Sequence, residues 1–122
     1  MPKKKSIETV ERKLRDYAMS FPEAHEDHPW GHIAVKVKKK VFVFLGGESQ
    51  DDFGMSVKLP NSRDAAADLP FAEPTGYGLG KSGWVSARFT KASDVPVDLM
   101  KAWIEESYRA IAPKKLVKML DA

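Results

Sequence analysis

The chain has 122 residues, 43% of them hydrophobic and 30% charged, with 20 Lys and Arg against 17 Asp and Glu for a formal net charge of +3. That length suits a single domain over residues 1–122, able to bury roughly two thirds of the surface its unfolded chain exposes. No apolar run approaches the ~20 residues of a membrane span, no hydrophobic leader is visible, and the absence of cysteine excludes disulfides, a thiolate zinc site and a thiol nucleophile. The expectation is a cytoplasmic monomer with residues 1–5 disordered.

Residues 7–21 read as an amphipathic helix. Ile7, Val10, Leu14, Tyr17 and Phe21 recur at three- and four-residue steps, Ser6 stands at the N-cap, and Pro22 stops the run. Strand signals follow. Ile33, Val35 and Val37 alternate with Ala34, Lys36 and Lys38, a pattern suited to a half-buried strand. Val41 to Leu45 is apolar throughout and reads as a strand buried on both faces. Phe53, Met55, Val57 and Leu59 alternate with Gly54, Ser56 and Lys58, beyond an acidic loop from Gly46 to Asp52. Ser62 opens a short helix over 62–69, ended by Pro70, and residues 71–75 read as a short strand. A glycine-rich turn, Gly76 to Gly83, leads into a strand at Trp84 to Phe89. A last long helix begins near Pro96 and ends at Pro113, with one or two turns more over 114–120. The fold class expected is α+β: one antiparallel sheet of four to five strands, covered on one face by the helices at 7–21 and 96–112. Leu14, Phe21, Val43, Leu99, Trp103 and Ile111 are the expected core.

Charge of one sign is segregated along the chain. Residues 33–47 carry Lys36, Lys38, Lys39 and Lys40 and no acid; residues 74–91 carry Lys81, Arg88 and Lys91 and no acid. Residues 16–32 carry four acids and no Lys or Arg. Such segregation can build a local basic surface on a nearly neutral protein. The lysines straddle a hairpin turn and read either as a solvated, aggregation-resistant edge or as an anion-binding wing without a local carboxylate to neutralise it.

Two motifs suggest other chemistry. Gly78-Leu79-Gly80-Lys81-Ser82-Gly83 fits G-x-G-x-x-G, but phosphate loops of this kind need a helix to follow, and here a strand does. His25, His28 and His32 fall within eight residues beside Glu23, Glu26 and Asp27. Their spacing suits a metal, yet Pro29 and Gly31 break any helical register between His28 and His32, so the site would have to form on an irregular loop. No metal and no cofactor are expected.

The stretch Glu26-Asp27-His28-Pro29-Trp30-Gly31-His32, the Lys36–Phe44 hairpin, Gly80-Lys81-Ser82-Gly83-Trp84 and Glu106-Ser107-Tyr108 together resemble the MmcQ/YjbR family. The resemblance implies a CyaY-like α+β fold, related in shape to frataxin, and DNA binding by a double wing of sheet loops. It also marks His28, Trp30, His32, Trp84, Ser107 and Tyr108 as a possible motif site. Where family members often carry Gly-Gly at the hairpin turn, this chain has Lys39-Lys40. The functional expectation is a non-enzymatic protein that meets DNA phosphates weakly and non-specifically through Lys36, Lys38, Lys39, Lys40, Lys81 and Arg88. The alternative is a module for a small ligand, a metal or a protein, built on the His25–His32 segment.

Overall fold

The computed structural model describes residues 5–28, 32–46, 52–76 and 82–121. Of the expected disorder at residues 1–5, residues 1–4 lie outside the described residues, as do most of the acidic loop, Trp30 and Lys81, while Lys5 is already helical. Six strands form one antiparallel sheet: β1 (Ala24–Asp27), β2 (Ile33–Val37), β3 (Lys40–Leu45), β4 (Phe53–Lys58), β5 (Ala72–Pro74) and β6 (Trp84–Phe89), in the order β1-β2-β3-β4-β6-β5. The helices are α1 (Lys5–Met19), α2 (Arg63–Ala67), α3 (Val97–Ile111) and α4 (Lys114–Leu120).

Residues opposite one another in an antiparallel ladder share a face. One row of such partners, Val35, Val43, Val57 and Val85, looks toward the helices and is buried. The neighbouring row, Ala34, Phe44, Ser56, Ser86 and Glu73, looks the other way. The apolar row draws α1 and α3 onto one side, and the other row sets Ser56, Ser86 and Glu73, none of them buried, on the opposite side beside a buried Ala34. α3 lies along β3 and β4, while α1 leans on α3 and the first three strands. Phe21, Phe42 and Tyr108 join the two helices to the sheet, with ring centroids 4.7 Å apart for Phe21–Tyr108 and 5.1 Å for Phe42–Tyr108.

Several expectations need correction. α1 starts at Lys5, so Ser6 is a helical residue rather than a cap. The sheet has a sixth strand, β1, made from half of the histidine segment that read as an irregular loop. Val41 and Phe44 are only half-buried, because Phe44 lies on the open face. The inward stripe of α3 is Met100, Trp103, Ile104, Ser107 and Tyr108, which leaves Leu99 on its shoulder at 37% exposure and Ile111 half-buried at the helix end.

The register of β2 against β3 shifts between Val35 and Lys36: Val35 pairs with Val43, but Lys36 pairs with Val41. Phe42 is therefore an extra residue, a β-bulge. It is buried next to Val43, facing Phe21 and Tyr108. At that level α3 completes the sheet. The Ser107 hydroxyl donates to the Phe42 carbonyl and accepts from the Lys58 amide at 2.9 Å, standing between β3 and β4. Its neighbours act similarly. Glu106 accepts from the amides of Asn61 and Ser62, both at 3.1 Å, and from the Ser62 hydroxyl, so it supplies the cap that Ser62 does not. Tyr108 donates its hydroxyl to the Pro22 carbonyl at 2.8 Å.

Ser107→Ala removes one hydroxyl and leaves two buried backbone groups unpaired, at about 1–3 kcal/mol each. A loss of about 2–6 kcal/mol in unfolding free energy, read as a lower denaturant midpoint, is expected, whereas Ser20→Ala, at an exposed turn, should leave the midpoint almost unchanged. Equal midpoints for the two variants would remove Ser107 from this role.

Candidate nucleic-acid interface at the hairpin end of the sheet

The turn between β2 and β3 is a two-residue connection, Lys38-Lys39, since Val37 pairs with Lys40. Lys38 takes φ 57°, the left-handed region that glycine or asparagine ordinarily fills. Opposite it, Glu23 takes φ 58° at the entry to β1, and the two side chains meet at 2.7 Å. That hydrogen bond holds the Glu23 carboxyl below its usual range, and Lys115 of α4 acts in the same direction.

β1 changes the electrostatics of the hairpin. Asp27 lies 3.4 Å from Lys36, and Glu23 binds Lys38, so two of the four clustered lysines carry carboxylate partners. The sequence expectation that no local acid neutralises this group is overturned. The partners come from the strand that was missed. Lys39 and Lys40, at the turn and the first position of β3, are exposed, and neither has a carboxylate partner among the described residues.

Lys58, at the end of β4, faces the same end of the sheet and likewise has no carboxylate partner among the described residues. Between Lys40 and Lys58 lies a cavity of about 360 Å³, bounded by Val41, Phe44 and Trp84 and closed by Ala110 and Ile111 of α3. Phe44 and Trp84 stand with ring centroids 5.8 Å apart and planes tilted by 50°. Trp84 is largely buried at 9% exposure, so its ring is mainly a packing group with one edge toward this cavity. Lys58 was absent from the sequence expectation. Its signal was positional: it ends the alternating run of β4, next in register to Trp84.

The other expected residues fall elsewhere. Arg88 pairs with Gly54 across β4 and β6, at the far end of the open face, 3.9 Å from the buried carboxylate of Asp52. Gly83 has φ 94°, and the strand β6 begins at the next residue, so the glycine-rich segment leads into a strand and not a helix. His25 is exposed on the edge strand opposite Lys36, His28 lies 3.4 Å from Glu26, and His32 sits across the sheet beside Gly46. Among the described residues no group of three or more histidine and carboxylate side chains is placed to hold a metal ion. Ser107 and Tyr108 are wholly buried and tie helix to sheet, a structural task.

A six-stranded antiparallel sheet with helices on one side and, among the described residues, no helix on the other defines an open α+β sandwich. The sequence pattern of the YjbR family matches residues 19–110, and the chain belongs to that family. A solved structural-genomics protein from Pseudomonas syringae shares the fold, at 17% identity and a TM-score of 0.61, over 81% of this chain and 96% of that one. No curated protein matches the chain. No helix among the described residues is long and apolar enough to cross a membrane.

The edge strand also carries a pH response. Arg15 of α1 donates to Glu26 at 2.6 Å, and this hydrogen bond holds the Glu26 carboxyl below the usual glutamate range, with a smaller contribution from His28. A carboxyl depressed in the folded state stabilises fully above its unfolded pKa of ~4.3 and loses that contribution as pH falls through the folded value. Glu26→Gln should therefore flatten the acid side of a melting-temperature profile below about pH 4.3. If wild type and variant lose stability in parallel over that range, the Arg15–Glu26 pair is not what anchors β1.

Proposed function

We propose that the protein is a non-enzymatic nucleic-acid-binding protein that meets phosphates weakly, and without sequence preference, at the hairpin end of its sheet. The observation that carries this reading is the grouping of Lys39, Lys40 and Lys58 there without carboxylate partners among the described residues. Lys81 lies outside the described residues and enters this proposal from the sequence alone, as a cation of the acid-free segment 74–91. Lys36, Lys38 and Arg88 contribute less, because each has a nearby carboxylate that a phosphate must displace. The two exposed lysine pairs are worth only about 0–1 kcal/mol, so displacing them is cheap, unlike the Arg88 pair with the buried Asp52.

Each phosphate contact on duplex DNA releases counterions and adds about −0.9 to the log–log slope of affinity against salt. Three to four contacts give a slope near −3 to −4, with dissociation constants of roughly 10⁻⁴–10⁻⁶ M at physiological salt. Lys39→Ala with Lys40→Ala should shallow the slope by about two units and leave thermal stability nearly unchanged. Glu23→Gln frees Lys38 and should steepen it by up to about one unit. An absence of binding at low salt contradicts the reading, and so does a slope that ignores the lysine pair.

A further inference from the structure

A second surface lies on the open face, at the end of the sheet away from Lys39 and Lys40. Its register is unusual. Gly46 donates its amide to Gly54 at 2.9 Å, and Gly54 pairs with Arg88, so adjoining strands place two glycines side by side with Arg88 beyond them. His32 lies on the other side: a Cβ built on Gly46 would stand 2.5 Å from the His32 Nδ1, so the imidazole rests over that glycine. Gly46 thus has a packing reason, and a conformational one at φ 140°. Gly54 has no positive φ. A glycine inside a strand weakens it, and it often marks a bulge, a tight bend or a place where a ligand or another backbone approaches closely.

The result is an open groove of about 680 Å³ between the His32 imidazole and the Arg88 guanidinium. That volume falls within the range of about 300–1,000 Å³ typical of small-molecule sites. Across three strand spacings of ~4.8 Å its width between the two wall residues is roughly 14 Å. The floor continues into a chain of hydroxyls: Ser56 and Ser86 are 2.7 Å apart, and Thr75 is 2.9 Å from Ser86. Three hydroxyls carry three protons, and the two links use two of them. One O–H remains to donate outward. Asp52, 7% exposed, stands 3.9 Å from the Arg88 Nε and fixes the guanidinium at the groove wall. Glu73, exposed in the row of Ser56 and Ser86, borders the opposite rim.

We infer that this groove is a binding site for a small hydroxylated molecule bearing one oxyanion, a phosphate monoester or a carboxylate. Arg88 supplies N–H donors to the oxyanion, whose paired oxygens suit a guanidinium, and His32 at the opposite wall meets a hydroxyl of the ligand. The serine and threonine hydroxyls donate to and accept from the ligand's own hydroxyls. Glu73 accepts from a hydroxyl at the far rim and repels a second negative group, which limits the ligand to one anion.

The test is an amide-resolved NMR titration of the full chain with ribose 5-phosphate, gluconate and inorganic phosphate. Saturable shifts at Gly46, Gly54, Ser86 and Arg88 with either organic probe are expected, and the tighter one identifies the anion. Arg88→Met and Gly54→Leu should each weaken binding at least tenfold, while Lys39→Ala with Lys40→Ala leaves it unchanged. His32→Ala, at an exposed position, serves in the same way if Gly54→Leu fails to fold. The inference is overturned by the absence of saturable shifts, by shifts confined to the hairpin, by undiminished binding in Arg88→Met and His32→Ala, or by inorganic phosphate binding as tightly as the organic probes.

Discussion

The Ser107 hydroxyl stands where the β3–β4 ladder would otherwise break. The bulge at Phe42 turns one extra apolar residue toward the helices, and from that point β3 and β4 cannot pair directly. A helix side chain takes the place of the missing ladder bond, receiving the Lys58 amide and capping the Phe42 carbonyl. Buried backbone groups must be satisfied, so the position of α3 and the spread of the strands are set together. Glu106 and Tyr108 extend the same constraint to the turn before α2 and to the turn before β1. The separation of Lys40 from Lys58, with the Phe44–Trp84 cavity between them, follows from it.

Much of the fold was legible because burial imposes period. The valines of β2, β3, β4 and β6 and the three-and-four spacing of α1 and α3 are the marks of a sheet with one covered face. β1 was not legible, since Ala24-His25-Glu26-Asp27 has no apolar alternation and is held by charged partners on α1 and on the following hairpin. Arg15 binds Glu26, and Lys36 and Lys38 bind Asp27 and Glu23. The complementarity of acids at 23–27 with lysines at 36–38 was the one available signal. Missing it made the hairpin look more basic than it is. Glu106-Ser107-Tyr108 was visible as a motif, but only the bulge shows its work, and a bulge leaves little trace in a single sequence.

The open face divides into two regions of different chemistry. At the hairpin end, lysines on flexible stems border an aromatic cavity, an arrangement suited to phosphates spaced along a polymer. At the other end, Arg88 is braced by a buried carboxylate, and glycines and hydroxyls form the floor, an arrangement suited to one small molecule. Both lie on the face where, among the described residues, no helix packs and Ser56, Ser86 and Glu73 are not buried.

The central functional claim is that nucleic acid meets the hairpin end of the sheet. Chemical-shift mapping of the full chain with a short DNA duplex at low salt tests it most directly. Perturbations clustered at residues 37–41, 58 and 82–85 are the predicted result. Perturbations gathered on α1, on the Arg88 groove or on α4, with the hairpin silent, would contradict it.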